Sequence, residues 1–181
     1  MILWISVIVA SVILDQITKW IVVNSMELYE SIVLIEKIFS FTHIRNYGAA
    51  WGMFDNHRWI FMLTTSVALI AMPIILYKYR KVHFLFNLSL SLFIGGAIGN
   101  MIDRVCLGYV VDFLEFTFID FPVFNVADIC VVFGAIIMIV YALFFDKTFF
   151  VDQSKAAPAS VSSEEDTDND GTDQENLNNG N

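Results

Sequence analysis

The 181-residue sequence predicts an all-α membrane bundle of four transmembrane helices, with a small β-containing element outside the membrane between helices 1 and 2. Three observations carry that prediction. Hydrophobic residues make up 57% of the chain and the mean hydropathy is +0.65. A water-soluble fold of this size cannot hide that much apolar surface, so lipid must solvate much of it. The apolar residues also fall into four runs of nearly bilayer-spanning length, and the ionisable residues collect at the ends of those runs.

The first span is expected from Met1 to about Val23. About 23 residues at ~1.5 Å each cover the ~30 Å hydrocarbon core. A cleaved signal peptide is the rival reading, but neither a basic start nor a small-residue cleavage site stands out, so an uncleaved span is expected. Residues 24–58 are polar enough to leave the membrane. Within them Val33–Thr42 is rich in β-branched and aromatic residues and leads to Arg45-Asn46-Tyr47-Gly48-Ala49-Ala50-Trp51-Gly52, which favours a tight turn. A strand-containing element lying on the membrane surface is expected there, with Phe39, Phe41, Trp51 and Trp59 suited to an interfacial belt.

The second span, Trp59–Tyr77, carries no charge, and Pro73 can bend it. The basic loop Lys78-Tyr79-Arg80-Lys81 follows. Phe84–Ile102 is the third span, where Gly95, Gly96 and Gly99 permit close helix approach. Cys106–Asn125 reads as a second surface connection, and Val126–Phe145 as the fourth span. From Asp152 onward the chain holds eight acidic residues and one lysine, which accounts for most of the net charge of −9. The domain organisation expected is therefore a membrane domain over residues 1–151 and an acidic, disordered tail over 152–181.

The positive-inside rule places the loop with Lys78, Arg80 and Lys81 in the cytoplasm. Both termini are then cytoplasmic, and the connections 24–58 and 106–125 face outward. Lys37, Arg45 and Arg58 in the outward connection oppose that bias. With this topology Asp15, Lys19, Asn100, Asp103, Arg104, Asp112, Asn125 and Asp128 all gather at one edge of the bilayer. Ionisable groups at that depth are costly and usually functional.

Each has a structural alternative. Asp15 and Lys19, at i,i+4, can simply pair and pin the helix end. Asp103 and Arg104 can form an interfacial charge pair, although a guanidinium is also suited to hold a carboxylate or phosphate. Asn46 and Gly48 can serve only a turn, and Asp128 can be a helix N-terminal cap. His43, His57 and His83 show no partner spacing, and Glu115 and Asp120 are expected in solvent. Cys106 and Cys130 form no CxxC, so no disulfide framework or metal site is expected. Asp112 and Asp128 have no basic residue nearby in sequence to neutralise them. Two carboxylates brought together in a low-dielectric site share a proton, giving a general base to activate water and a general acid for a leaving amine.

The sequence resembles the prolipoprotein signal peptidases (signal peptidase II), aspartyl peptidases of the bacterial inner membrane. The resemblance runs from about Ile2 to Leu143 and rests on five motifs in order: Asp15-Gln16-Ile17-Thr18-Lys19; Asn46-Tyr47-Gly48-Ala49-Ala50-Trp51-Gly52; Gly95 through Arg104; Gly108-Tyr109-Val110-Val111-Asp112-Phe113; and Phe124-Asn125-Val126-Ala127-Asp128. It implies that Asp112 and Asp128 are the catalytic aspartates. It further implies that Asn46, Gly48, Asn100, Arg104, Asn125 and Ala127 bind substrate by lining or shaping the site, while Asp15, Lys19 and Asp103 support it. The implied substrate is a prolipoprotein already carrying diacylglycerol, cut just before its lipid-modified cysteine at the outer face of the membrane. Neither a metal nor an organic cofactor is implied, membrane lipid is a partner and nucleic acid is not, and globomycin-like cyclic peptides are the expected inhibitors. The segment 24–58 is positioned to clamp the substrate from above. The long acidic tail departs from the motifs, which are silent on it.

Two other classes remain in view from the residues alone. A proton-coupled carrier needs polar groups through the full depth of the bilayer, and spans two to four lack charges in their middles. A noncatalytic scaffold would tolerate asparagine at positions 112 and 128.

Overall fold

A computed structural model of the chain describes residues 1–48 and 58–145, with side chains from 1 to 48 and from 62 to 145. The side chains of Trp51, His57, Arg58 and Trp59, and the acidic tail with its expected boundary at residue 151, lie outside the described residues. Everything below belongs to the unit Met1–Lys147. Its elements run α1 (Ile2–Ser25), β1 (Ser31–Ile35), β2 (Phe39–Asn46), α2 (Arg58–Lys78), α3 (Phe84–Cys106), β3 (Val110–Phe116) and α4 (Val126–Phe144).

Three of the helices, α1, α3 and α4, are long and apolar enough to cross a membrane. In α2 the fully described stretch Met62–Lys78 is apolar but shorter. The burial pattern is that of a protein solvated by lipid. Ile2 is 84% exposed and Phe144 77%, whereas Asp15, Ser89, Ser91 and Asn125 are fully buried. An aqueous fold would invert that order.

Helix α3 is the axis of the bundle, contacted by α1, α2 and α4. Its glycines set the spacing. A Cβ on Gly95 would come within 2.6 Å of the Ser11 Cβ on α1, and one on Gly96 would strike the Ala127 carbonyl of α4. At one end Trp4, Leu76, Leu90 and Ile94 form an apolar cluster, and at the other Val22 and Met26 pack on Val111, Phe113 and Leu114. His83, for which sequence spacing offers no partner, caps α3: its Nδ1 accepts from the Leu85 amide at 3.2 Å.

The expected strand element is present between α1 and α2, as an antiparallel hairpin of β1 and β2. The sheet has a third strand where the sequence predicts a plain connection. β3 comes from the chain between α3 and α4 and pairs antiparallel with β2, giving the order β1-β2-β3. The apolar run around Asp112 is buried on both faces from Val110 to Leu114, so it lacks the period-two alternation that marks a half-exposed strand. β3 is therefore where a sequence pattern is least able to tell a strand from a connecting segment. Glu115 is also not in open solvent; it accepts a hydrogen bond from the Thr42 hydroxyl across the sheet.

Candidate active site

The end of α3 and the turn after it aim β3. Leu107 and Gly108 amides return to the Asp103 carbonyl at 2.7 and 3.2 Å, and Gly108 takes φ 86°, a left-handed turn that favours glycine. β3 then carries Asp112, paired in register with Ile44 on β2. Asn46 lies two residues beyond Ile44 and so shares a face with Asp112. Its Nδ2 donates to Asp112 Oδ2 at 2.8 Å, while its Oδ1 accepts from the Gly48 amide at 3.0 Å. The turn at Asn46 and Gly48 and the contact to the carboxylate are thus two ends of one side chain.

Asp128 arrives on a different element. Asn125 is the N-cap of α4, accepting from the Asp128 amide at 3.0 Å, and Asp128 reciprocates by accepting from the Asn125 amide at 3.1 Å. This capping box satisfies two N-terminal amides and fixes the Asp128 rotamer. The same Asn125 reaches across with Nδ2 to Asp112 Oδ1, at 2.6 Å, and to Asn100 Oδ1, at 3.0 Å. Asn100 in turn donates to Asp128 Oδ1 at 2.8 Å. Both carboxylates are therefore gripped by one asparagine, and each of their four oxygens takes a hydrogen bond from an amide N–H.

Asp112 is 1% exposed. Burial, reinforced by the facing Asp128, pushes its carboxyl up to about 7, against the opposing pull of the Asn46 and Asn125 hydrogen bonds and the Lys19 charge. The group can hold a proton at neutral pH.

A second layer lies beneath. Lys19 pairs with Asp15 at 2.9 Å, as the i,i+4 spacing predicts, and also with Asp103 on α3 at 3.0 Å. Asp103 is thus tied to a cation on another helix, and its neighbour Arg104 stands within electrostatic range of it as well. Arg104 is half-buried, within electrostatic range of Asp128, Asp112 and Asp103, and its Nη1 donates to the Asn100 carbonyl at 3.4 Å.

The structure thus gathers Asn46, Gly48, Asn100, Arg104, Asn125, Ala127, Asp15, Lys19 and Asp103 around the two aspartates. They divide by access. Asn125 and Ala127 are wholly buried, with their polar atoms turned to other parts of the chain. They shape the site from below and offer no surface to a ligand. Asn46, Asn100, Arg104 and Asp128 remain half-exposed. Gln16 stands out in the sequence only as part of a motif, yet its Nε2 lies 3.2 Å from Asp15 Oδ2, 3.0 Å from Asp103 Oδ1 and 3.2 Å from the Gly99 carbonyl. Its signal was available: an amide next to a charge inside an apolar run.

Beside Asp128 opens a cavity of about 490 Å³, walled by Phe39, Leu114, Phe116, Phe124, Ile129 and Phe133. The wall is apolar, and Asp128 is the only ionisable residue at its edge among the described residues. Two buried carboxylates next to an apolar cavity suit acid–base chemistry on a greasy chain.

Comparison with known proteins agrees with that chemistry. Residues 7–144 match the profile of Signal peptidase (SPase) II. A lipoprotein signal peptidase of Brevibacillus brevis is 47% identical over 138 residues, covering 76% of this chain and 93% of the relative. One from Clostridioides difficile is 42% identical over 146 residues, covering 80% and 97%. A bacterial membrane enzyme solved by the in meso method at 2.3 Å superposes with a TM-score of 0.73 at 34% identity, over 89% of this chain and 95% of that one. The chain belongs to the signal peptidase II family.

Proposed function

We propose that this membrane peptidase, which removes signal peptides from prolipoproteins, does so with Asp112 and Asp128 as a proton-sharing pair, acting on substrates already carrying diacylglycerol. The observation that carries the reading is the joint grip of Asn125 on both carboxylates. It holds acids from β3 and α4 in one buried site, where burial and the facing Asp128 raise the Asp112 carboxyl to about 7, so that it can hold a proton near neutral pH. The ionised member takes a proton from water as it attacks the scissile carbonyl, and the protonated member donates to the leaving amine. Arg104, Asn46 and Asn100 are the half-exposed groups available to orient the peptide.

The bundle spans the membrane four times, with α2 as the remaining span. Lys78, Arg80 and Lys81 lie on the cytoplasmic side and the dyad at the outer face of the bacterial inner membrane. A signal peptide is itself an apolar helix, and it enters laterally from the bilayer. The apolar cavity beside Asp128 suits its flanking residues or a globomycin-like cyclic peptide. The β1–β2 hairpin covers the site from above. Because Asn46 on β2 binds Asp112, deleting that hairpin removes part of the site as well as the cover.

The test uses purified protein in detergent, given a diacylated prolipoprotein and an unmodified control. Cleavage of the diacylated form that disappears in Asp112→Asn and in Asp128→Asn, with both variants folded, is the expected result. Full cleavage by either variant overturns the dyad. Equal cleavage of the unmodified control overturns the requirement for lipid.

A further inference from the structure

The buried cation of α1 does more than its helical spacing explains. A pin for the helix end needs only Asp15, four residues away. The Lys19 side chain is 4% exposed and makes three contacts: Asp15 Oδ2 at 2.9 Å, Asp103 Oδ2 at 3.0 Å and Asn100 Oδ1 at 2.9 Å. Two of the three lie on another helix.

What those partners hold is more specific still. Asp15 Oδ1 accepts from the Ala127 amide at 2.9 Å, and Ala127 immediately precedes Asp128. Asp103 Oδ2 accepts from the Val111 amide at 3.0 Å, and Val111 immediately precedes Asp112. Asn100 completes the set with its Nδ2 on Asp128 Oδ1 at 2.8 Å. Each backbone segment bearing one of the aspartates is thus hung by an amide from a carboxylate, and one ammonium joins the two carboxylates. Gln16 ties the same pair a second time, without charge.

We infer that Lys19 is a positioning residue for the peptidase reaction: through Asp15 and Asp103 it fixes the backbone segments of Asp128 and Asp112 relative to each other. The inference rests on the dyad proposed above. Without the ammonium, two buried carboxylates face each other unneutralised, and at least one leaves its amide. The segment it held then drifts, and a displacement of about 1 Å between reacting groups costs on the order of 10²-fold in rate.

Charge provides a readout that a purely structural role would not move. Among the described residues, the charged groups around the dyad are Lys19 and Asp15 from α1 and Arg104 from α3, with Asp103 behind them beside Lys19 and Arg104. Lys19 holds the Asp112 carboxyl down, so its removal moves the alkaline limb of the pH–rate profile upward.

The test compares wild type, Lys19→Met and Lys19→Arg as monodisperse, folded protein in detergent, with a diacylated prolipoprotein as substrate. Expected for Lys19→Met are a kcat loss of about 10²-fold, a KM nearly unchanged, and an alkaline limb displaced to higher pH. Lys19→Arg, which keeps the charge, returns the limb to its wild-type position. A folded Lys19→Met with wild-type kcat and limb overturns the inference. Should that variant not fold, Gln16→Leu decides: a lower kcat at unchanged KM supports the tie, and unchanged kcat overturns it. Failure of wild type itself to cleave the substrate overturns the underlying reading, and the positioning role with it.

Discussion

Replacing Asp112 by asparagine tests the charge state of the site through stability as well as through activity. In the folded protein the Asp112 carboxyl is pushed from an ordinary value of 3.8 to about 7, chiefly by burial and next by Asp128. Between those two pH values the folded chain holds a proton that the unfolded chain has released. The stability this group contributes is therefore complete below about pH 3.8 and is lost as pH rises through about 7. About three pH units at 1.36 kcal/mol each give roughly 4 kcal/mol across the window. The substituted asparagine cannot titrate, so the stability of Asp112→Asn relative to wild type should rise with pH by about that amount. For a chain of this size the relative change is on the order of 10 °C in Tm. Against it stands a constant cost of about 1–3 kcal/mol, because an asparagine amide turned toward Asn46 or Asn125 leaves one donor unmatched. The assay is thermal unfolding of both proteins in one detergent at about pH 4 and about pH 8, together with cleavage. A difference in Tm that is the same at both pH values refutes the reasoning, whatever the activity shows. Wild-type cleavage should decline above about pH 7, as the shared proton is lost.

Two further substitutions separate packing from positioning. A Cβ on Gly99 would land on the Asp15 carboxylate, so Gly99→Ala should displace Asp15 from the Ala127 amide, lower Tm and reduce kcat by roughly tenfold or more in the folded fraction. Gly134→Ala, whose Cβ meets the Ser89 carbonyl at 3.1 Å away from the dyad, should lower Tm while leaving kcat of the folded fraction near wild type. Asn125→Ala removes the α4 cap, worth about 1 kcal/mol, together with a hydrogen bond that holds the Asp112 carboxyl down. A pH–rate profile should show its alkaline limb moved upward, and thermal unfolding a lower Tm.

The helices were legible because lipid imposes a length and a composition on each span, and α1, α3 and α4 lie within a few residues of their expected bounds. The cluster at one membrane edge was legible for the same reason: Asp15, Lys19, Asp103, Asp112 and Asp128 interrupt apolar runs at corresponding ends. What the sequence hid are relations between segments. β3 escaped because a strand buried on both faces has no alternation to read. The pairing of Asp103 with Lys19 joins two helices far apart in sequence, beyond any local spacing rule, while the pairing of Lys19 with Asp15 follows from helical geometry alone. Asn125 illustrates the limit most sharply. From sequence alone Asp128 is the candidate cap of α4; the structure makes Asn125 the N-cap, with Asp128 as its capping-box partner, and the second bond of Asn125, to a carboxylate on another element, belongs only to the fold.

The count of charges explains why such a site keeps a proton. Among the described residues, four carboxylates, Asp15, Asp103, Asp112 and Asp128, share a buried edge with two cations, Lys19 and Arg104. Lys19 is shared with the two carboxylates of the lower layer, and its pull on Asp112 ranks below the effects of burial and of Asp128. Ionising the whole set would leave two uncompensated negative charges in a low-dielectric interior, a state that costs several kcal/mol. Retaining one proton halves that excess. The amide donors from Asn46, Asn100 and Asn125 stabilise the remaining negative charge without adding a positive one that would drive the proton off. On the proposed dyad, asparagines suit this place better than lysines: a cation at Asn46 or Asn125 would hold Asp112 ionised and leave no acid for the departing amine. Asn46→Lys should accordingly move the alkaline limb of the pH–rate profile to lower pH, and a limb that stays in place would show that Asp112 does not supply that proton.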